Sequence, residues 1–263
     1  MKYGVNINTV WAGLPLEEQV AKLVAAGFTT LEFWFACRMN VPLLMDLQQR
    51  HGLDIGLFNL DPDVSTGTGY LGEPDGEERF FETLRDGLTL APKLGTKKIH
   101  VMVGRRAPHL AREAQRALIV ERLRRAAEEA AAANVTLLLE PLNHFDRPDY
   151  YLNHSAEALS IIQEVGSPWV KLQYDFYHMQ LMEGNLIGTM RANLFHIGHL
   201  QLADAPGRGK PGTGEINYRN ILAAVHDAGY TGVMGLEYNA PPDDPDPFDW
   251  LPDADPTWSS HAN

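Results

Sequence analysis

VTLLLEPLNHFD, residues 135–146, carries the reading of the fold. Five strand-compatible residues run into a carboxylate, Glu140, and a Pro-Leu-Asn turn follows at once. Such a run is too short for a helix and ends where a buried strand would meet an opening. Three later runs repeat the shape: VKLQY just before Asp175, HIGHLQL over 196–202, and VMGLE over 233–237. Toward the N-terminus, Tyr3–Asn8, Thr30–Trp34, Asp54–Asn59 and Lys98–Val103 read as four more strands. Together with Val135–Glu140, Val170–Tyr174, His196–Leu202 and Val233–Glu237 they make eight.

Between these runs lie longer amphipathic segments: Leu16–Ala26, Val41–His51, Glu77–Leu94, Ala111–Ala133, Ser155–Val165 and Tyr218–Ala228. Residues 112–133 are the most strongly helical, being rich in Ala, Leu, Glu and Arg. Glycine follows Ala26 and Ala228, where a left-handed C-cap is easiest to make. Eight alternating units in 263 residues predict an α/β protein, a single-domain (β/α)8 TIM barrel. A flavodoxin-like open sheet alternates in the same way. It accounts less well for eight strands, and no Gly-x-Gly-x-x-Gly follows the first strand.

Two stretches break the rhythm. Residues 61–76, DPDVSTGTGYLGEPDG, form a Gly-, Pro- and Asp-rich loop on the side where barrel loops shape active sites, and read as a lid. The chain therefore divides into a barrel over residues 1–240 and a Pro- and Asp-rich tail over 241–263. That tail is too rich in proline for a full final helix, with Phe248, Trp250 and Leu251 able to pack as one helical turn.

A formal charge of −12 argues against nucleic acid as a partner, because a surface that neutralises phosphates needs clustered Lys and Arg. A metal ion or a few local basic groups can still make one pocket attractive to an anion. The single cysteine, Cys37, forbids an internal disulfide and reads as a small buried hydrophobe. With neither a signal-peptide pattern nor an apolar run of membrane-spanning length, a cytoplasmic location away from membranes is expected.

Polar residues at the ends of apolar strands carry the chemistry, since in a closed barrel those ends converge on one mouth. Glu140, Asp175, Gln201 and Glu237 stand 35, 26 and 36 residues apart, about one βα unit each. Three carboxylates and an amide oxygen meeting there would repel one another without a cation, and all-oxygen ligation suits Mg2+ or Mn2+. Asn143, His144, Asp146 and His178 add polar groups near the same ends. Arg208 lies on a glycine-rich loop from which its guanidinium could hold a substrate carboxylate. Asn6, Asn8, Glu32, Asn59 and His100 could complete the pocket floor, while Trp11, Trp34 and Phe35 read as packing residues beside it.

The runs LLLEPLNHFDRPDYYL, KLQYDFYHMQLMEGNL, IGHLQLADAPGRGKPGTGEINY and GLEY, in this order, resemble the hydroxypyruvate isomerase family within the xylose-isomerase-like barrels. The resemblance covers the chain to about Tyr238. It implies a metal site at Glu140, Asp175, Gln201 and Glu237, with the two glutamates also as acid–base groups. It places His178 and Arg208 at substrate-contact positions, and Asp146 where related ketose epimerases carry a glutamate. It further implies a homo-oligomer, and as activity the interconversion of hydroxypyruvate, a small hydroxy-carbonyl acid, with tartronate semialdehyde through an enediolate. Isomerases or epimerases of a related sugar acid such as 2-oxo-tetronate, or of a ketose, are the nearest alternatives. A dehydratase and a metal-dependent endonuclease stand further off.

Overall fold

A computed structural model of the chain describes residues 1–63, 67–240 and 244–255. The strands are β1 (Lys2–Asn6), β2 (Thr30–Phe35), β3 (Asp54–Asn59), β4 (Lys98–His100), β5 (Thr136–Leu139), β6 (Val170–Asp175), β7 (Ile197–Leu202) and β8 (Val233–Leu236). Each pairs in parallel with the next, and β8 returns to β1 to close the barrel. Outside it run α1 (Leu16–Ala25), α2 (Val41–His51), α3 (Glu77–Leu90), α4 (Arg112–Ala133), α5 (Ser155–Val165), α6 (Phe176–Met182), α7 (Leu186–Asn193) and α8 (Tyr218–Asp227). All eight strands and six of these helices match the sequence reading to within a few residues. The pair α6 and α7 between β6 and β7 does not appear in that reading.

Several strands stop earlier than the apolar runs suggest. β5 and β8 end at Leu139 and Leu236, so Glu140 and Glu237 each occupy the first position after their strand. Along a strand, alternate side chains face opposite ways. Here the apolar set (Leu31, Phe33, Ile99, Leu137, Leu139, Leu172, Leu200, Leu202, Leu236) joins the buried core, while the other set is strongly polar. Glu32, Gln173, His199 and Gln201 are all buried and touch one another across the barrel. The interior is thus a hydrogen-bonded polar layer where many barrels pack Val, Ile and Leu.

Register sets who meets whom in that layer. Asp175 lies opposite Gln201, and Gln201 opposite Gly235. The pairing skips one residue, Gly56, between Ile55 and Leu57 on β3, and another, Gly198, between Ile197 and His199 on β7. An extra residue of this kind bends a strand and re-aims its side chains. The skip at Gly198 sets His199 beside Gln173.

The last part of the chain returns across the outside of the barrel. Phe248 packs on Phe28 and edge-on to Trp11, with ring centroids 4.5 and 5.6 Å away. Trp250 donates its Nε1–H to Tyr238, and the four-residue helix α9 (Leu251–Ala254) buries Leu251. The Tyr3 hydroxyl donates to Asp255 at 2.6 Å, joining this segment to β1. Residues 241–243 and 256–263 of the sequence-defined tail lie outside the described residues, as do 64–66 of the sequence-predicted lid. Cys37 corrects the sequence reading: it is exposed, on a 3₁₀ turn over Ala36–Arg38, where no strand face is left to bury it. No helix among the described residues is long and apolar enough to cross a membrane.

Candidate active site

The C-terminal ends of the strands surround a cavity of about 540 Å³, lined among others by His100, Glu140, Asp146, His178, Arg208 and Glu237. Asp175 closes β6 and doubles as the N-cap of α6, its Oδ1 accepting the Tyr177 N–H at 2.9 Å. That cap starts a helix on the strand's last residue and puts His178 one turn on, over the mouth. His178 Nε2 stands 3.7 Å from Asp175 Oδ2 and 4.0 Å from Glu140 Oε1. Ligand-type atoms of Glu140, Asp175 and His178 all lie within 4.8 Å of one another.

Glu237 reaches the same region from β8. Its Oε1 accepts from Trp34 Nε1 at 2.5 Å and from Asn6 Nδ2 at 3.2 Å, and its Oε2 faces Arg208 Nη2 at 3.0 Å. Trp34, which the sequence suggests only as a packing residue, therefore orients a candidate catalytic glutamate. Arg208 Nη2 also lies 3.3 Å from Asp175 Oδ2. The guanidinium thus sits at the cavity floor between two carboxylates.

A rigid loop holds it there. The buried Asp204 carboxylate accepts four backbone N–H groups, from Ala205 and Ile216 at Oδ1 and from Gly212 and Gly214 at Oδ2. A Cβ on Gly214 would come within 2.2 Å of the Ala205 carbonyl oxygen, so this close wrap requires glycine. Arg208 itself adopts a left-handed backbone, φ 55°, inside the wrap.

Burial sets the electrostatics. It raises Glu140 well above the ordinary carboxylate range, helped by the charges of Glu237 and Asp175 and opposed by Arg208 and a hydrogen bond from Gln173. Asp175 is pushed up to about 7 by burial, against the pull of Arg208. Glu237 is raised too, again by burial and against Arg208 and Trp34. Burial disfavours charge on Arg208, but Glu237, Asp175 and Glu140 outweigh it and hold the guanidinium ionised. For His178, burial first and Arg208 second depress the pKa well below the usual imidazole value. His100 is lowered to about 3, chiefly by burial, so its 3.6 Å approach to Glu140 is not an ion pair.

The Asn143 N–H donates to His178 Nδ1 at 3.2 Å, which makes that nitrogen the acceptor. The proton of the neutral ring then sits on Nε2, facing the carboxylates and the cavity. Arg208 Nη1, 3.2 Å from Nε2, is on this tautomer a close neighbour and not a hydrogen-bond partner. Asp146 stands apart from the cluster. It is exposed at the rim, and its Oδ2 accepts from Asn143 Nδ2 and from the Tyr177 hydroxyl, both at 2.9 Å. Tyr177 in turn lies under the Arg208 guanidinium at 5.4 Å. Gln201, the register partner of Asp175, is buried outside the cavity lining, its Oε1 accepting from Gln173 Nε2 at 2.6 Å. His144 is exposed beside Phe145. Sequence reasoning passed over Gln173, His199, Tyr177 and the rim residues Arg38 and Arg147. Gln173 and His199 had a signal, being polar positions inside otherwise apolar strands; the rim arginines had none.

A family model described as xylose isomerase-like TIM barrel matches residues 20–255. The chain belongs to that family. Hydroxypyruvate isomerase of Escherichia coli is 36% identical over 240 residues, covering 90% of this chain and 93% of the relative. A 2-oxo-tetronate isomerase of Cupriavidus necator is 34% identical over 239 residues, covering 90% and 92%. A crystal structure described as AP endonuclease, family 2, from Brucella melitensis superposes with a TM-score of 0.91 at 29% identity, covering 95% of this chain and 97% of that one. Within the family this chain is an isomerase of the hydroxypyruvate isomerase group.

Proposed function

We propose that this protein is a divalent-metal-dependent isomerase that interconverts hydroxypyruvate and tartronate semialdehyde. One observation carries the reading: buried carboxylates at the ends of β5, β6 and β8 converge, Glu140 and Glu237 lining one cavity with His178 and Arg208, and Asp175 lying 3.3 Å from the Arg208 guanidinium. The residues suit a cation, because Glu140 Oε1 is buried with no hydrogen-bond partner among the described residues and lies in the group of mutually close ligand atoms. Glu140, Asp175, Gln201 and Glu237 would hold it, an all-oxygen set fitting Mg2+ or Mn2+. A divalent ion bound there supplies Lewis-acid stabilisation of the charge that develops on the substrate oxygens.

The chain's own groups do the rest. Glu140 or Glu237 removes the C3 proton of hydroxypyruvate and a proton is delivered at C2, while the hydroxyl proton moves from O3 to O2. A glutamate held ionised beside a cation can take up this proton and give one back at the neighbouring carbon. His178, with its proton on Nε2, donates to a substrate oxygen, and Arg208 offers its remaining N–H groups to the carboxylate. Asp146 braces Tyr177 under that guanidinium. Arg38 and Arg147 add two cations to the lining of this cavity in an otherwise acidic protein.

A second reading, isomerisation of 2-oxo-tetronate, is favoured by the size of the cavity, about 540 Å³, which exceeds what a three-carbon acid fills. An endonuclease reading is disfavoured by the net charge of −12, since binding a phosphate backbone calls for clustered Lys and Arg. NMR in D2O with each acid, with Mn2+ or Mg2+ and with EDTA, decides among these. The expected result is metal-dependent conversion of hydroxypyruvate with deuterium at the new C–H. Turnover of 2-oxo-tetronate alone would move the assignment to the longer acid, and loss of water would make the enzyme a dehydratase.

A further inference from the structure

Below the cavity floor lies a carboxylate that the proposed chemistry leaves unused. Glu32, midway along β2, is fully buried inside the barrel. Its Oε2 accepts from Gln201 Nε2 at 3.1 Å. Its Oε1 lies 2.8 Å from His199 Nε2, off the line of a hydrogen bond, and His199 Nδ1 is 3.5 Å from Lys98 Nζ. Space for the group is cut by glycines on three strands. A Cβ on Gly235 would come within 2.5 Å of Glu32 Oε2 and 2.8 Å of Gln201 Cγ, and one on Gly56 or Gly4 would sit 3.1 or 3.3 Å from Oε1. Gly235 is also the register partner of Gln201, and its missing side chain leaves the room in which Gln201 reaches Glu32 across the barrel.

The Glu32 carboxylate selects which end of the Gln201 amide looks upward. The oxygen and nitrogen of a glutamine side chain are nearly equal in size, and shape alone does not orient them. A carboxylate can only accept, so it takes the NH2 end and turns the carbonyl oxygen away. We propose that Glu32 is a positioning residue that fixes the Gln201 amide so that its carbonyl oxygen, and not its NH2, is presented to the metal cluster at the ends of β5–β8. This rests on the reading of Gln201 as a metal ligand. A turned amide would remove one ligand and set a hydrogen-bond donor against a cation. Gln173, whose Nε2 meets the same carbonyl oxygen at 2.6 Å, holds that oxygen's place from the other side.

Calorimetric titration of the metal-stripped protein with Mn2+ tests this, with circular dichroism as the check on folding. Glu32→Gln keeps the shape but offers both a donor and an acceptor, so it should weaken Mn2+ binding about 10–100-fold, the usual cost of losing a group behind a metal ligand. Gln201→Glu alone sets two carboxylates face to face and should also weaken it. In the double variant the new amide at position 32 can donate to the new carboxylate at 201, and most of the affinity should return. Wild-type affinity in Glu32→Gln, or two folded single variants with no recovery in the double, overturns the inference. Gln201→Ala separates the two ideas: if it binds Mn2+ as wild type does, the ligand reading fails and the positioning role with it. If it binds poorly while Glu32→Gln binds normally, only the positioning role falls. A further measurement, made on the wild-type enzyme, is its side-chain amide NMR, with the Gln201 signal identified by its loss in Gln201→Ala. Its NH2 protons should stay protected from exchange with and without Mg2+, and free exchange would contradict the fixed orientation.

Discussion

Glu140, Asp175 and Glu237 are single carboxyl groups held in a place that disfavours their charge. Glu140→Gln keeps the volume of the side chain and removes both its basicity and its fourfold acceptor capacity. Turnover should fall by at least 10²–10⁴-fold, the range for a lost general base, with the far-ultraviolet spectrum unchanged. Full activity with added metal would take Glu140 out of the chemistry. Asp175 gives a pH test in the metal-free protein. Burial pushes its folded-state pKa up to about 7, above the ordinary 3.8, so between those values the folded chain holds a proton that the unfolded chain has released. That contribution is full below about 4 and is lost as pH rises through 7, at up to about 1.4 kcal/mol per pH unit. Asp175→Asn can still cap α6 and should therefore lose less stability than wild type across that window, as read by urea denaturation in EDTA. Parallel curves would mean that burial does not act on Asp175 as described.

Among the elements, the strands were legible because polar and apolar residues alternate in VKLQYD and IGHLQL, and because each run ends at a turn. The helix α6 was not, since its first four residues are all buried and seven positions are too few to show a 3.6-residue period. The candidate ligand set could be drawn up from strand ends alone, but its supports could not. Glu32 and Gln201 meet across 169 residues, and Trp34 and Glu237 across 203, through a register that no local pattern encodes. The loop carrying Arg208 reads in sequence as flexible, from its glycines, yet Asp204 gathers four of its N–H groups into a fixed wrap. Asp204→Ala should cost at least about 3 kcal/mol, because several buried donors lose their acceptor at once. It should also lower kcat/KM by displacing Arg208. Stability within about 0.5 kcal/mol of wild type in urea would show that the wrap does not depend on this carboxylate, below the cost of even one lost buried hydrogen bond.

For the whole molecule, the barrel keeps its apolar contacts between sheet and helices and leaves the interior to a polar layer, so one wall serves as core on one face and as site scaffold on the other. Closure of that wall near β1 is helped by the returning chain. Phe248→Ala would open space against Phe28 and Trp11 and should cost roughly 3–5 kcal/mol, with little change in kcat because the site is built from other elements. An equal loss of kcat in folded protein would tie the tail to the chemistry. In the proposed function the barrel's part is to bring together oxygen atoms from residues 140, 175, 201 and 237. Crystals grown with Mn2+ and measured at a wavelength sensitive to manganese address that directly. A single anomalous peak should stand within coordination distance of Glu140, Asp175, Gln201 and Glu237, and a map with no peak among those four side chains at saturating Mn2+ would contradict the account.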